Sequence, residues 1–435
     1  MFSLDKYKKW FTSHEDEIKK QFTEFLSFRS ISTDPLHAKS CQETAEWLSG
    51  LLQNMGLEVD LLTSSGQPVV FGEFLPKKCD TSVLVYHHYD VQPVDPMHLW
   101  QSDPFQARWE NERVFARGAS DNKGQCWITL TALRAFLSLE EEVPLHIKLF
   151  IEGEEESGSK GTTEVLHREA HRLQADHLCV IDFDLASPGI PAIALGYRGL
   201  VTLEVEYSNA STDLHSGVHG GMASNPIHML AKVIHRIWDD RGRVTIPSFY
   251  EGILVLSQEE RNKIDFSFDE EAYKQEYDIG VLCQEEGFSV REGGWIRPTV
   301  EFNGIFGGYT GEGFKTVLPA KAGAKVSCRL VPGQDPEKIG RIVASFFCEQ
   351  APRGVRVKVE CHHGAPALFC SPDTSLVRTV AGCLEDVFQT PCRYTLCGGS
   401  VPIVQELAKA VGGDVALFGF ALASDNIHAP NEHFR

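Results

Sequence analysis

No stretch of this 435-residue chain concentrates Lys and Arg, and the formal net charge is −19. Phosphate backbones are held by a basic footprint, so a nucleic-acid partner is not expected. No apolar run approaches the length that spans a bilayer, so no membrane partner is expected either. The opening segment, MFSLDKYKKWFTSHEDEIKKQF, is charged throughout and lacks the apolar core of a signal peptide. The twelve cysteines include no C-x-x-C pair and no clustered spacing. Without a secretory signal, reduced thiols in a cytoplasm are the expectation, with Cys179, Cys328 and Cys348 buried in apolar runs. Internal repeats and low-complexity segments are missing too. What remains is 42% hydrophobic and 23% charged over a length beyond one usual core, which describes a globular chain of two domains.

Apolar spacing predicts a helix within residues 4–29, through Ile18, Phe22, Phe25 and Leu26. A second is expected from a capping box of Ser40 and Glu43 to a stop at Gly56. Strand-like runs at 69–75, 82–87, 145–151 and 177–182, with a helix at 124–138, give the alternation of a largely parallel sheet with covered faces. The pattern changes after Arg198-Gly199. An alternating strand at 200–207 is followed by a helix at 225–240, strands near 299–304 and 321–330, a helix at 335–350 and a strand at 354–361. That is βαββαβ order with a long insertion after the first helix, a ferredoxin-like module. The first pattern resumes around 374–388 and includes ALFGF at 416–420. The expected class is α/β: a mostly parallel-sheet domain of residues 1–192 and 369–435, with an inserted α+β ferredoxin-like domain over 193–368.

Five side chains with metal-binding chemistry stand at or just beyond strand-like runs. They are His88 in LVYHHYDVQP, Asp121 in ARGASDNKG, Glu156 in LFIEGEEESGS, Asp182 in LCVIDFD and His428 in ALFGFALASDNIHAP. Sites in open parallel sheets form beyond the carboxyl ends of strands, so this topology can bring all five to one rim. Two imidazoles and three carboxylates suit a pair of zinc-type ions. Three carboxylates against two divalent ions leave about one positive unit, which a hydroxide neutralises. Glu155 is placed beside Glu156 to take a proton from water. Asp90 is placed to accept the second imidazole N–H of His88, and His87 points the opposite way as a structural residue. Blander readings stand beside these: a helix cap for Asp121, a solvated acidic run for Glu154-Glu155-Glu156 and a loop histidine for His88, with Asp184 a rival to Asp182. Cys397, beside Gly398-Gly399-Ser400, is the one cysteine near this chemistry.

HYDVQP, RGASDNKG, EGEEESGS, DLHSGVHGG, KTVLPAKA, CRLVP and CGGSVP occur in the order found in the carnosine dipeptidase branch of the acetylornithine deacetylase and desuccinylase metallopeptidases. The chain resembles that family over nearly its whole length. The resemblance implies two Zn²⁺ ions per subunit, with Mn²⁺ or Co²⁺ as alternatives. Asp121 would bridge them, Glu156 and His428 would complete one site, and His88 and Asp182 the other. The spacing to Pro191 in PAIALGYRG favours Asp182 over Asp184. Glu155 would be the general base and then the acid that protonates the leaving amine, and Asp90 would orient His88. A cis peptide bond after Asp121 is implied as well. The inserted module would be a lid that also forms a homodimer. Its His215, the oxyanion stabiliser, and its Thr316 would reach the partner's site, while Arg329, His362 and Ser400 would hold the substrate carboxylate or backbone. The implied activity is metal-dependent hydrolysis of dipeptides or short peptides in the cytoplasm. An N-acyl or N-carbamoyl amino-acid amidohydrolase would share the metal site, and a non-catalytic dimeric scaffold would keep only the fold. Three departures stand out. Leu396-Cys397 occupies a position where relatives often carry Arg-Glu, and Glu154 replaces an often apolar residue, adding negative charge near the metals. Relatives also usually continue into a last helix after the region of Asn431-Glu432.

Overall fold

The structure, a computed structural model, describes residues 4–399 and 401–435. Two compact units are present, one of Met1–Leu195, Cys370–Thr395 and Val401–Arg435, the other of Gly196–Phe369 with Leu396–Ser400.

In the first unit, α1 (Leu4–Ser27) buries Trp10, Ile18, Phe22, Phe25 and Leu26, an apolar stripe at helical spacing. The next helix, α2 (Ala38–Asn54), starts ahead of the expected capping box and has no side-chain cap of its own. Asp34 instead accepts from Leu36 N and caps a short 3-10 turn that runs straight into α2, which leaves Ser40 and Glu43 inside the helix. There follow β1 (Glu58–Leu62), β2 (Val69–Phe74), β3 (Thr81–His88), the paired β4 (Arg108–Glu110) and β5 (Arg113–Phe115), α3 (Lys123–Leu139), β6 (Leu145–Glu152), α4 (Lys160–Leu173), β7 (His177–Ile181) and β8 (Ala192–Tyr197).

The second unit begins with β9 (Gly199–Ser208), the short β10 (Leu214–His215), α5 (Ser216–His219) and α6 (Pro226–His235). The expected insertion carries α7 (Gln258–Lys263), α8 (Glu270–Tyr277) and α9 (Val290–Ile296). Then come β11 (Thr299–Gly307), β12 (Val317–Leu318), β13 (Lys321–Leu330), α10 (Pro336–Gln350), β14 (Arg356–Ala365) and β15 (Leu368–Phe369). Its main sheet runs β11-β13-β9-β14 and is antiparallel throughout, the strand order of a ferredoxin-like module. Val201, Leu203, Val205 and Tyr207 alternate inward along β9, and their core includes Met229 and Val233 of α6 and Ile339, Val343 and Phe347 of α10. Asp335 caps α10 by accepting from Lys338 N, with Pro336 in the first turn. Because Ile339, Val343, Phe346 and Phe347 take its inward stripe, Cys348 is turned outward, contrary to the burial expected of it. Cys179 and Cys328 are buried, and all twelve thiols are free.

The chain returns to the first unit with α11 (Ser375–Phe388), passes through β16 (Arg393–Cys397), and finishes with α12 (Pro402–Val411), β17 (Asp414–Phe418) and β18 (His433–Phe434). The sheet of that unit runs β1-β2-β6-β3-β7-β17-β8. Its middle strands β6, β3, β7 and β17 are parallel neighbours, while β1, β2 and β8 join antiparallel, so the sheet is parallel at its centre and mixed overall. Four adjacent parallel strands present their carboxyl ends along one edge, where an α/β sheet places its ligands. His88 ends β3, a 3-10 turn at Glu155–Ser157 follows β6, Asp182 follows β7, and the loop after β17 carries His428. Among the described residues no helix is long and apolar enough to cross a membrane.

Candidate metal centre

At that edge five side chains form two groups, His88-Asp121-Asp182 and Asp121-Glu156-His428, whose ligand atoms lie within 4.8 Å of one another inside each group. Asp121 belongs to both. Its Oδ1 is 3.0 Å from His88 Nε2 and its Oδ2 2.8 Å from His428 Nε2. His88 Nε2 also lies 3.6 Å from Asp182 Oδ2, and His428 Nε2 3.4 Å from Glu156 Oε2. Asp121 caps no helix: the residue before α3 is Asn122, and the Asp121–Asn122 peptide is cis. Asp184 stands in neither group, and its backbone is bridged to Ala421.

The electrostatics follow from crowding carboxylates out of water. Burial, reinforced by the charge of Asp121, pushes Glu156 up to about 7 against the pull of His428. Glu155 is held well above the usual carboxylate range by burial and by Asp182, Glu156 and Asp121. Burial opposes a charge on His88, yet Asp182, Asp121 and Asp90 outweigh it and hold the imidazole well above its ordinary value. Hydrogen bonds to Asp121 and Glu156 raise His428 to about 10. The cluster thus favours the protonated form of both imidazoles. Divalent ions would displace those protons, as metal binding generally does. The donor set fits such ions: each group has an imidazole, Asp121 offers one oxygen to each, and Glu156 Oε1 is buried with no hydrogen-bond partner.

Surrounding groups hold these donors in place. Asp90 is fully buried. His88 Nδ1 donates to its backbone oxygen at 3.1 Å and lies 3.3 Å from its Oδ1, which turns Nε2 toward the two aspartates. The Asp90 carboxylate also accepts from Ser32 Oγ at 2.6 Å, Glu155 N at 3.2 Å and Glu156 N at 3.1 Å, so it positions the acidic turn as well as the imidazole. Gln92 Nε2 donates to Glu156 Oε2 at 2.6 Å. Asn122 Nδ2 donates to Asp182 Oδ1 and to Ile181 O, so its Oδ1 faces His87 Nδ1 and accepts from it. His87 Nε2 is then left to accept from Thr129 Oγ1, and burial lowers this imidazole to about 4, a neutral structural residue. Gln92 and Asn122 escaped the sequence reading, although each lies within a quoted motif. Glu154, expected to add charge near the metals, belongs to neither group. It turns instead to accept from Thr162 N at 3.1 Å, in the space a side chain at Gly66 would need.

In the second unit, β10 pairs with β12 and Ser216 N donates to Thr316 O at 2.9 Å, which sets His215 and Thr316 side by side. Both are exposed, and His215 Nδ1 accepts from Gly217 N. Arg329 lies on β13 opposite Thr299 and Leu200. Neighbouring Arg198 donates through Nε to Gly398 O at 3.1 Å, and burial beside Arg329 lowers it to about 10. His362 falls in the register shift of β14 between Cys361 and Gly364 and is exposed. Ser400 lies outside the described residues.

A match over residues 84–435 to Peptidase family M20/M25/M40 places the chain in that family, to which it belongs. The chain is 32% identical to the M20 family metallo-carboxypeptidase Sso-CP2 from Sulfolobus solfataricus, covering 96% of this chain and 94% of that one with a TM-score of 0.85. It is 28% identical to the Cys-Gly metallodipeptidase DUG1 of Candida albicans, over 96% of this chain and 91% of that protein. The Beta-Ala-His dipeptidase of Homo sapiens is 27% identical, over 99% of this chain and 88% of its own length.

Proposed function

We propose that this chain is a dimeric two-metal peptidase that hydrolyses dipeptides or short peptides bearing a free C-terminal carboxylate. One observation carries the reading: two three-donor groups share Asp121, with Glu155 beside them on the turn that carries Glu156. Relatives named as a Cys-Gly metallodipeptidase and a Beta-Ala-His dipeptidase support the substrate class. His88 and Asp182 would hold one ion, Glu156 and His428 the other, with Asp121 between; Zn²⁺ suits these donors, and Mn²⁺ or Co²⁺ are alternatives. When bound, such a pair supplies Lewis acidity to a peptide carbonyl and lowers the pKa of water towards about 7. Glu155 accepts the proton of the attacking water and returns it to the leaving amine nitrogen. Asp90 keeps both Glu155 and His88 in register for this. The lid, with His215 as donor to the developing oxyanion and Thr316 beside it, serves the partner's site. Arg329, His362 and Ser400 take the substrate carboxylate and backbone. Free thiols fit a cytoplasmic setting.

An apolar surface supports the dimer. β11 is an edge strand with Ile305 64% exposed, and Phe314 beyond it is 102% exposed. Apolar residues on an edge strand are otherwise a liability. An N-acyl or N-carbamoyl amino-acid amidohydrolase would use the same metal donors and differ at the amine end of the substrate. Dipeptides assayed beside acetylated and succinylated amino acids, each with added Zn²⁺ or Mn²⁺, separate the two. Dipeptide turnover is expected, and turnover of the acylated compounds alone would overturn the dipeptidase reading.

A further inference from the structure

Glu432 lies near the end of the chain, far in sequence from Asp121, and is completely buried. Its carboxylate is filled by donors from a single loop. Oε2 accepts from Arg117 Nη1 at 2.8 Å and Gly118 N at 3.0 Å; Oε1 accepts from Ser120 N at 2.9 Å and from the backbone amide of Asp121 itself at 3.0 Å. The backbone oxygen of Glu432 accepts in addition from Ala116 N at 3.1 Å. Arg117, equally buried and stacked over Trp100, donates through Nη2 to Pro93 O at 2.9 Å. Three segments therefore meet at one ion pair: the HYDVQP segment of His88, the RGASDN segment of Asp121 and the HAPNE segment that begins at His428. A carboxylate is the group that can take two donors on each oxygen, and its reach into the Asp121 amide fixes the backbone from which that side chain projects.

We propose that Glu432 is a positioning residue for the metal centre, holding Asp121 between the His88 and His428 groups through the Arg117-Glu432 pair. The proposal rests on the two-metal reading above. A glutamine at this position keeps the shape, but turns an NH₂ onto donors on one side. The Asp121 loop should then lose its register while the core packing is kept. Outer-shell partners of this kind typically change metal affinity by about 10–100-fold.

The test is calorimetric titration of Zn²⁺ into metal-free protein, with elemental analysis of the loaded form. The proteins compared are wild type, Glu432→Gln and a stability control, Leu48→Ala, at a buried position of α2. Glu432→Gln is expected to bind Zn²⁺ about 10–100-fold more weakly, with kcat reduced, KM for a dipeptide unchanged and activity returning as Zn²⁺ is raised. Leu48→Ala should lower Tm without moving Zn²⁺ affinity. Wild-type affinity and stoichiometry in Glu432→Gln, or a loss that merely tracks Tm as in the control, would overturn the proposal. If Glu432→Gln does not fold, Glu432→Asp is titrated in the same way: it keeps the charge but is a methylene short. Unchanged affinity there overturns the proposal equally. A wild type that binds no metal would instead sink the two-metal reading itself.

Discussion

His88 is buried at the end of β3, with its Nδ1 fastened to Asp90 and its Nε2 aimed at Asp121 and Asp182; His215 is exposed at the end of β10, with one backbone donor from Gly217. The same contrast holds for their neighbours. Glu155 and Glu156 receive backbone restraint from Asp90, and Gln92 and Asn122 restrain Glu156 and Asp182. Thr316 and His362 stand exposed in their own unit. Preorganised catalytic groups are normally locked by packing and by a surrounding layer of hydrogen bonds. One half of the proposed site is therefore finished within a single unit, and His215, Thr316 and His362 of the other half stand exposed in theirs. The proposed dimer divides the expected effects of mutation into two kinds.

The largest effect is expected where the finished half does its chemistry. Glu155→Gln should lower kcat by up to about 10⁴-fold, because it removes the proton carrier and no metal donor. Elemental analysis of the variant should give the wild-type metal content. Activity close to wild type would remove Glu155 from the mechanism.

In the exposed half, His215→Ala should cost about 10²–10³-fold in kcat, the range for one oxyanion donor, with metal content unchanged. Mixing it with Glu155→Gln sharpens the comparison. If His215 serves the partner, a mixed dimer has one site carrying both defects and one carrying neither, so activity should reappear on subunit exchange. If His215 serves its own chain, every site keeps a defect and mixing restores nothing.

A smaller version of that loss should follow from breaking the surface. Ile305→Asp with Phe314→Asp places charge on the exposed apolar edge beside β11. The variant should run as a monomer in light scattering, retain its metals and fall in activity by roughly 10²-fold, near the His215→Ala level. A monomer with full activity would break the link between the two halves.

The legibility of the two halves in the sequence differed for a related reason. The order of apolar strands is a period-two and run-length signal, so β3, β6 and β7, with the strand ends near which His88, Glu156 and Asp182 stand, could be read directly. The ferredoxin-like order was legible in the same way through β9, α6, β13 and α10. Side-chain hydrogen bonds have no period. Nothing in the spacing of Asn122, Gln92 or Glu432 announces which atom each will reach, and the acidic run 154–156 gave no sign that Glu154 turns away to Thr162. Local signals also failed where an upstream contact pre-empted them. Ser40 and Glu43 have capping-box spacing, but the turn capped by Asp34 had already started the helix. Cys348 sits in an apolar stretch, but 3.6-residue geometry had assigned the inner face to Phe346 and Phe347.

The smallest expected effect tests how far the finished half depends on that hidden layer. Asn122 is buried, gives Nδ2 to Asp182 Oδ1 and Ile181 O, and takes the Nδ1 proton of His87 on its own oxygen. Asn122→Ala removes the donor that aligns Asp182 and leaves His87 Nδ1 without its acceptor. Zn²⁺ affinity should weaken by roughly 10-fold, the low end for an outer-shell partner, since Asp182 keeps His88 as a neighbour. Thr129→Val breaks the chain one step further out by removing the hydroxyl on His87 Nε2. It should cost about 1–3 kcal/mol of stability through the orphaned imidazole nitrogen and leave Zn²⁺ affinity unchanged. The two variants, titrated side by side, locate the boundary between alignment of the metal donors and ordinary core support. Wild-type affinity in Asn122→Ala would move that boundary inward to Asp182 itself.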